Sequence, residues 1–152
     1  MLPNIFTKPI VEQLIARINL LTPEHRPLRG KMSVDQMLAH CNVSYEYVYE
    51  PTKYKKPNFF TKFIMKAFVK KIVTGEKPYE HNSRTAPDMI IVDHKNFDLE
   101  KQRLIAFLEK TQELGVKHFD GLESQSFWKL TATEWSNLFY KHLDHHLTQF
   151  GV

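Results

Sequence analysis

Two short segments of this chain carry a pattern with which α-helices begin. Residues 33–36, Ser-Val-Asp-Gln, and residues 131–134, Thr-Ala-Thr-Glu, each place a hydroxyl side chain three positions before a Gln or a Glu. In such a capping box the hydroxyl binds the amide of the third helical residue, and the longer side chain binds the amide of the capping residue. Apolar residues at helical spacing follow both boxes. The sequence therefore predicts one helix from residue 34 to about Val48 and another from residue 132 to the C-terminal end.

Proline and glycine delimit three further helices. They are predicted from residues 7–9 to residues 22–23, from about Asn58 to Val73, and from Asp98 to Leu114 with Gly115 as the C-terminal cap. Residues 76–97 and 116–130 are expected to be irregular, and residues 89–92, Met-Ile-Ile-Val, are too few to distinguish a strand from a buried extended segment. We expect an all-α fold in one domain over residues 1–152: a four-helix bundle with an additional short helix and irregular connecting segments.

The last predicted helix carries three of the eight histidines within five residues. At about 100° per residue, His142 and His146 fall inside the apolar arc that begins at Trp135, whereas His145 falls on its flank. Asp144 falls on the opposite side and is expected to face water. Residues four apart stack on one helix face, so two imidazoles point to one place in the core. Either a metal ion binds this pair, or carbonyls, tyrosines or carboxylates satisfy the two rings as buried polar groups.

His40 is the best candidate for a third metal ligand, which catalytic zinc sites usually have. On the second predicted helix it lies at the edge of the apolar face, from which it could reach a site between helices. The alternative is a partly exposed histidine. The adjacent Cys41 points about 100° away and is expected to be a small core residue. The other histidines fall in turns or irregular segments and are expected at the surface: His25, His81, His94 and His118.

A histidine on the second helix, combined with His-x-x-His-His on the last, resembles the DinB-like superfamily of metal-binding four-helix bundles. The sequence of residues 142–151, HLDHHLTQFG, is similar to the C-terminal sequence HLDHHxxQFG of a bacterial branch of that superfamily. The resemblance implies one divalent transition metal, nickel or zinc, held by His40, His142 and His146. The chain lacks the Arg and Gly that commonly follow the last histidine, and residues 124–128, Ser-Gln-Ser-Phe-Trp, replace a His-Pro-Phe-Phe-Gly of that branch.

A metal held in this way leaves three hypotheses about function open, of which the resemblance implies the first. The first is thiol-dependent transfer or isomerisation of a small-molecule substrate, with a low-molecular-weight thiol as partner. The second is metal-dependent hydrolysis, because an ion on three neutral imidazoles could equally lower the pKa of bound water. The third is a non-catalytic metal-binding or structural bundle, including a homodimer. Four side chains are candidates for proton transfer or ligand support, with the two tyrosine hydroxyls expected at the rim of the core: Tyr45, Tyr140, Asp144 and His145.

The third predicted helix is basic and amphipathic. Its lysines and the lysines before it are Lys53, Lys55, Lys56, Lys62, Lys66, Lys70 and Lys71, and its large apolar residues include Phe59, Phe60, Phe63, Ile64 and Phe68. That pattern would suit an anionic membrane or a nucleic acid. A net charge of only +4 favours a lysine face in water on a bundle helix, so we expect no membrane and no nucleic-acid partner. One cysteine, no secretory signal and no apolar run long enough for a bilayer predict a cytoplasmic protein.

Overall fold

The computed structural model of the chain describes residues 1–80 and 85–152, and His81 lies outside the described residues. The protein is mostly helical, which confirms the all-α prediction at that level. The helices are α1 (Lys8–Leu20), α2 (Val34–Tyr49), α3 (Phe59–Ile64), α4 (Lys70–Thr74), α5 (Phe97–Phe119) and α6 (Ala132–Gln149), with a π-helical turn (Met65–Val69) between α3 and α4 and a 3₁₀ turn (Pro87–Met89) before α5.

Helices α2 and α6 begin where the capping boxes predict. The Gln36 side chain accepts a hydrogen bond from the Ser33 amide at 3.0 Å. At α6 the Thr131 hydroxyl accepts from the Glu134 amide at 3.2 Å, and the Glu134 carboxylate accepts from the Thr131 amide at 3.0 Å. These local contacts satisfy amides that the first helical turn leaves without partners, so they fix the two helices that carry the candidate ligands.

The structure corrects the predicted irregular segments in two places. Gly115 interrupts α5 with a φ of +66°, but a further helical turn continues to Phe119. Two-residue strands, β1 (Glu123–Ser124) and β2 (Trp128–Lys129), then pair antiparallel, so the prediction of a loop over residues 116–130 is wrong for both pieces. Elements this short leave no periodic pattern in a sequence. Within residues 89–92, Ile90 and Val92 are exposed, which excludes the buried extended segment.

Helices α1, α2, α5 and α6 pack around a common apolar core. Its fully buried members include Leu14, Ile18, Leu38, Leu104, Leu108, Phe139, Leu143 and Leu147. Burying each of these side chains stabilises the fold by about 1.5–3 kcal/mol, and the shared core sets α2 beside α6. No helix within residues 1–80 and 85–152 has the length and hydrophobicity needed to cross a membrane.

The third predicted helix differs most from expectation. The π-helical turn divides it into α3 and α4, and the expected lysine face in water is found at Lys66 and Lys71 but not at Lys62 and Lys70. Phe60 and Phe68 are 70% and 71% exposed, whereas Lys62 and Lys70 are half-buried and paired with glutamates. The physical reason is that the side chains of Lys62 and Lys70 reach acidic partners on neighbouring elements, while no helix within residues 1–80 and 85–152 covers the outward phenylalanines.

Candidate metal centre

Three histidines from two helices converge beside the core. His40 comes from the middle of α2, and His142 and His146 lie one turn apart on α6. One ring nitrogen from each lies within 4.8 Å of the other two. His40 and His146 are buried, and His142 is half-buried at the edge of a cavity. His40 was expected at the edge of the apolar face, but only 4% of it is exposed because α2 is packed on several sides.

The outer ring nitrogens of His40 and His146 are held by hydrogen-bond acceptors. The Nδ1 of His40 lies 2.7 Å from the carbonyl oxygen of Met89, and a carbonyl can only accept. The Nδ1 of His146 lies 3.0 Å from the Oε1 of Gln149, whose Nε2 donates to the carbonyl oxygen of Arg29 at 2.6 Å. Both rings therefore carry their proton on Nδ1, which leaves each Nε2 with a free lone pair. This is the support that metal-binding histidines generally have.

His142 has a partner that can reverse its role. Its Nδ1 lies 2.9 Å from the Ser44 hydroxyl, which can donate or accept, and its Nε2 lies 2.9 Å from the Nε2 of His40. Because the His40 Nε2 has a lone pair, the metal-free contact requires a proton on the His142 Nε2, and Ser44 then donates to Nδ1. If the His142 Nε2 gives up that proton to serve as a ligand, the Nδ1 carries the proton instead and donates a hydrogen bond to the Ser44 hydroxyl.

Burial keeps all three imidazoles neutral. Burial, together with the neighbouring His40, lowers the pKa of His146 to about 3. Burial also lowers the pKa of His142 well below its ordinary value, as do its histidine neighbours, and burial lowers the pKa of His40. Neutral imidazole is the form that binds metal ions. At neutral pH the cluster therefore presents three uncharged nitrogen ligands.

The other candidates on α6 are not members of the group whose ring nitrogens lie within 4.8 Å of one another. The His145 ring lies 5.0 Å from the His146 ring and 5.5 Å from the Tyr79 ring, on the flank where the helical projection placed it. Asp144 does not simply face water, since it forms a 2.6 Å ion pair with Arg17 of α1. Helix α1 packs along that side of α6, which the projection of one helix could not reveal.

The two candidate tyrosines do not join the cluster either. Tyr45 is 1% exposed and stacks on Phe107 and Phe139, so the expectation of a hydroxyl at the rim is wrong for it. Within the described residues its hydroxyl has no hydrogen-bond partner. Tyr140 is half-buried, as expected of packing with the hydroxyl at the rim.

The remaining sequence predictions hold for His94, His118 and Cys41, whereas His25 is less exposed than expected. His94 and His118 are exposed, and His25 is half-buried with its Nδ1 accepting from the Thr22 amide at 3.0 Å. Cys41 is fully buried, as predicted for a core residue.

A cavity of about 470 Å³ opens over the three histidines. Its apolar lining includes Met65, Val69, Val73, Phe127, Trp135 and Leu138, and its polar lining includes Tyr47, Tyr79 and Gln125. Volumes of 300–1,000 Å³ with mostly apolar walls are typical of small-molecule sites. The cluster therefore has space beside it for a small organic molecule.

Sequence reasoning missed three supporting groups: Ser44, the Met89 carbonyl, and Gln149, which lies three residues after His146 on the same helix. Ser44 lies four residues after His40 on α2, so helical spacing could have indicated that it shares the same face. The Met89 carbonyl belongs to the 3₁₀ turn of an irregular segment, and no sequence pattern joins it to His40.

Comparison with known sequences assigns a family. Searches of curated proteins and of solved structures gave no match. The profile of one family, described as a protein of unknown function (DUF1569), matches residues 7–151, which include α1 to α6 and all three clustered histidines. The chain therefore belongs to the DUF1569 family.

Proposed function

We propose that His40, His142 and His146 bind one divalent transition metal ion, nickel or zinc, and that the protein is a member of the DinB-like superfamily. One observation carries this proposal: three neutral imidazoles bring ring nitrogens within 4.8 Å of one another while hydrogen bonds hold the outer nitrogens. The placement of one histidine on α2 and two on the final helix supports the superfamily assignment.

The donor set fits this choice of metal. Imidazole suits zinc, nickel, copper and iron, whereas calcium and magnesium prefer oxygen ligands. Within the described residues the cluster contains three histidines and no carboxylate. Three neutral ligands leave the full positive charge of a bound ion for a further ligand or a substrate. The chain itself keeps the three nitrogens in place through Met89, Ser44 and Gln149.

We further propose thiol-dependent transfer or isomerisation of a small, largely apolar molecule. A divalent ion in this site would lower the pKa of a bound thiol or water. An unperturbed thiol has a pKa of about 8.5 and water one of about 15.7, so a thiol requires much less help at neutral pH. The apolar walls of the cavity support a substrate that is mainly hydrocarbon in character.

The test begins with the metal content of the purified protein. We expect close to one transition metal ion per chain in the wild type, and close to none in His40→Ala, His142→Ala and His146→Ala. The matched control is His145→Ala, which removes the neighbouring imidazole on the flank of α6 and should retain the ion. Full occupancy in the three ligand variants would refute the site, and loss in His145→Ala would refute the assignment of ligands within α6.

The same proteins distinguish the three functional hypotheses. Turnover of electrophilic small molecules that requires both metal and an added thiol would support transfer. Turnover that requires metal and water alone would assign a hydrolase. A metal-dependent rise in melting temperature, with no turnover either with or without the added thiol, would assign a non-catalytic site.

A further inference from the structure

The helical segment 59–74, made of α3, the π-helical turn and α4, exposes an apolar face. Its outward side chains are Phe59, Phe60, Phe63, Ile64, Phe68 and Ile72, and all six are exposed. Phe59, the most exposed of them, is 78% accessible. Isolated exposed apolar residues are ordinary, but contiguous patches of this kind mark interaction sites. We call these six residues the outer face.

The outer face lies in a strongly basic stretch. Residues 51–74 contain seven lysines and no Asp or Glu. The net charge of the chain is +4, so the remaining residues sum to +4 − 7 = −3. Lys62 and Lys70 turn sideways to Glu123 and Glu134, at 2.9 and 2.7 Å.

The other five lysines of the stretch are exposed: Lys53, which pairs with Glu46 and Glu50, and Lys55, Lys56, Lys66 and Lys71. Lys71 immediately precedes Ile72 of the outer face, and Lys55 and Lys56 lie just before Phe59. Cationic side chains thus accompany the phenylalanines along the whole segment. A ligand for this surface must be apolar and negatively charged at once.

We propose that the outer face docks on an anionic lipid surface. A helix with phenylalanines on one side and lysines beside them lies in the plane of a bilayer interface, with its rings near the acyl chains and its ammonium groups near lipid phosphates. The Trp128 ring is 6.2 Å from the Phe59 ring, and the Lys62 and Lys66 ammonium groups lie over it at 5.2 and 5.0 Å. An aromatic ring of this amphipathic kind suits the interface as well.

Charge and shape disfavour the other occupants. A two-fold dimer would place the same patch against itself and oppose lysines with lysines. A nucleic acid would meet the lysines, but Ile64 and Ile72 offer it neither a charge nor a ring to stack on. The lipid surface also reverses our expectation of no membrane partner. That expectation rested on a net charge of only +4 and on a place for this helix within the bundle, whereas the structure leaves its phenylalanines exposed.

The test measures co-sedimentation of the full chain with vesicles of phosphatidylcholine alone and with added phosphatidylglycerol. The wild type should bind the anionic vesicles at least tenfold more strongly, and binding should weaken as salt rises. Phe60→Ser, Phe63→Ser and Phe68→Ser combined should lose at least tenfold in binding. Lys66→Gln and Lys71→Gln combined should lose about fivefold per lysine.

Matched controls replace exposed residues elsewhere. Leu20→Ser with Val92→Ser, and Lys8→Gln with Lys117→Gln, should bind as the wild type does, and circular dichroism should verify that every variant folds. Absence of binding, or binding unaffected by the phenylalanine substitutions, would overturn the proposal. So would a wild-type dimer that those substitutions make monomeric, or retention on single-stranded DNA that only the lysine substitutions weaken. None of these measurements needs a metal ion, so the result is independent of the proposed metal site.

Discussion

Each of the three clustered imidazoles is oriented by a different kind of partner: a backbone carbonyl, a hydroxyl and a side-chain amide. The amide partner, Gln149, depends in turn on Gly30. Gly30 has a φ of +89°, and a Cβ at that position would lie 2.4 Å from the Nε2 of Gln149. A glycine far from α6 in sequence therefore leaves the space in which Gln149 can hold His146.

We expect Gln149→Leu to weaken metal binding by about 10–100-fold, because the Nδ1 proton of His146 loses its acceptor. Gln149→Glu keeps an acceptor oxygen and should bind metal within a few-fold of the wild type. Titration of the metal-free proteins with zinc in competition with a chelating dye measures both affinities. Thr148→Val, on the adjacent exposed residue, is the control. Equal affinities for the Leu and Glu variants would show that the hydrogen bond does not support the site.

Individual residues of the site were predictable where helical spacing alone decides their direction. His142 and His146 were identified in this way because both lie on one amphipathic helix. The third, His40, was placed by resemblance as well as by projection, and its depth in the core was underestimated. Ser44 and Met89 were missed because their roles depend on how α2 meets α6 and on the path of an irregular segment. Such contacts join residues 49 to 102 positions apart, beyond the reach of local patterns.

Side chains of α6 also bind the backbone carbonyls at the C-terminal end of α4. Four-residue spacing on α6 puts Asn137 and Lys141 on one side, where the Asn137 amide donates to the Thr74 carbonyl at 2.9 Å. The Lys141 ammonium donates to the carbonyls of Ile72 and Gly75 at 2.5 and 2.6 Å, and to that of Lys77 at 3.0 Å. The last carbonyls of a helix have no partners within it, and a cation there is favourable. Burial disfavours the charged form of Lys141 and lowers its pKa to about 8. The hydrogen bonds to these carbonyls stabilise the ammonium group against that effect.

Lys141→Met should lower the free energy of unfolding by about 2–3 kcal/mol, because it keeps the apolar length but removes the donor of three partly buried hydrogen bonds to carbonyls. Chemical denaturation followed by circular dichroism measures the loss. The control is Lys117→Met on the exposed side of α5, which should change stability by no more than about 0.5 kcal/mol. If the two substitutions lower the free energy of unfolding equally, the Lys141 ammonium does not stabilise the packing of α4 on α6.

At the level of elements, the sequence predicted helices best where their ends are marked locally. The capping boxes fixed the starts of α2 and α6, and Gly115 was correctly identified as a break in α5. The segment 59–74 was predicted as one helix because its apolar spacing continues through the π-helical turn, which carries no marker of its own. The burial of its two sides could not be predicted either, since this depends on which neighbour reaches it.

For the whole molecule, the cluster couples stability to protons as well as to metal. The three histidines have lower pKa values in the folded chain than their ordinary value of 6.5, so the unfolded chain binds more protons below that pH. Their contribution to stability is complete above about pH 6.5 and is lost as the pH falls towards the folded pKa, which for His146 is about 3. Each histidine can change stability by up to about 1.4 kcal/mol per pH unit in that window. A bound ion would add stability at neutral pH, and protons would compete with it as the pH falls.

We therefore expect the melting temperature of the metal-free protein to fall steadily between about pH 6.5 and pH 5, with a loss of roughly 2 kcal/mol from His146 alone at pH 5. Thermal unfolding by circular dichroism, with a chelator present, measures this fall in melting temperature. Zinc or nickel should raise the melting temperature most at neutral pH, and the increase should shrink on acidification. His118→Gln removes an exposed histidine outside the cluster and should leave the curve unchanged. A metal-free melting temperature that stays constant across this range would show that the three imidazoles are not held neutral in the core, and the basis for their role as ligands would fail with it.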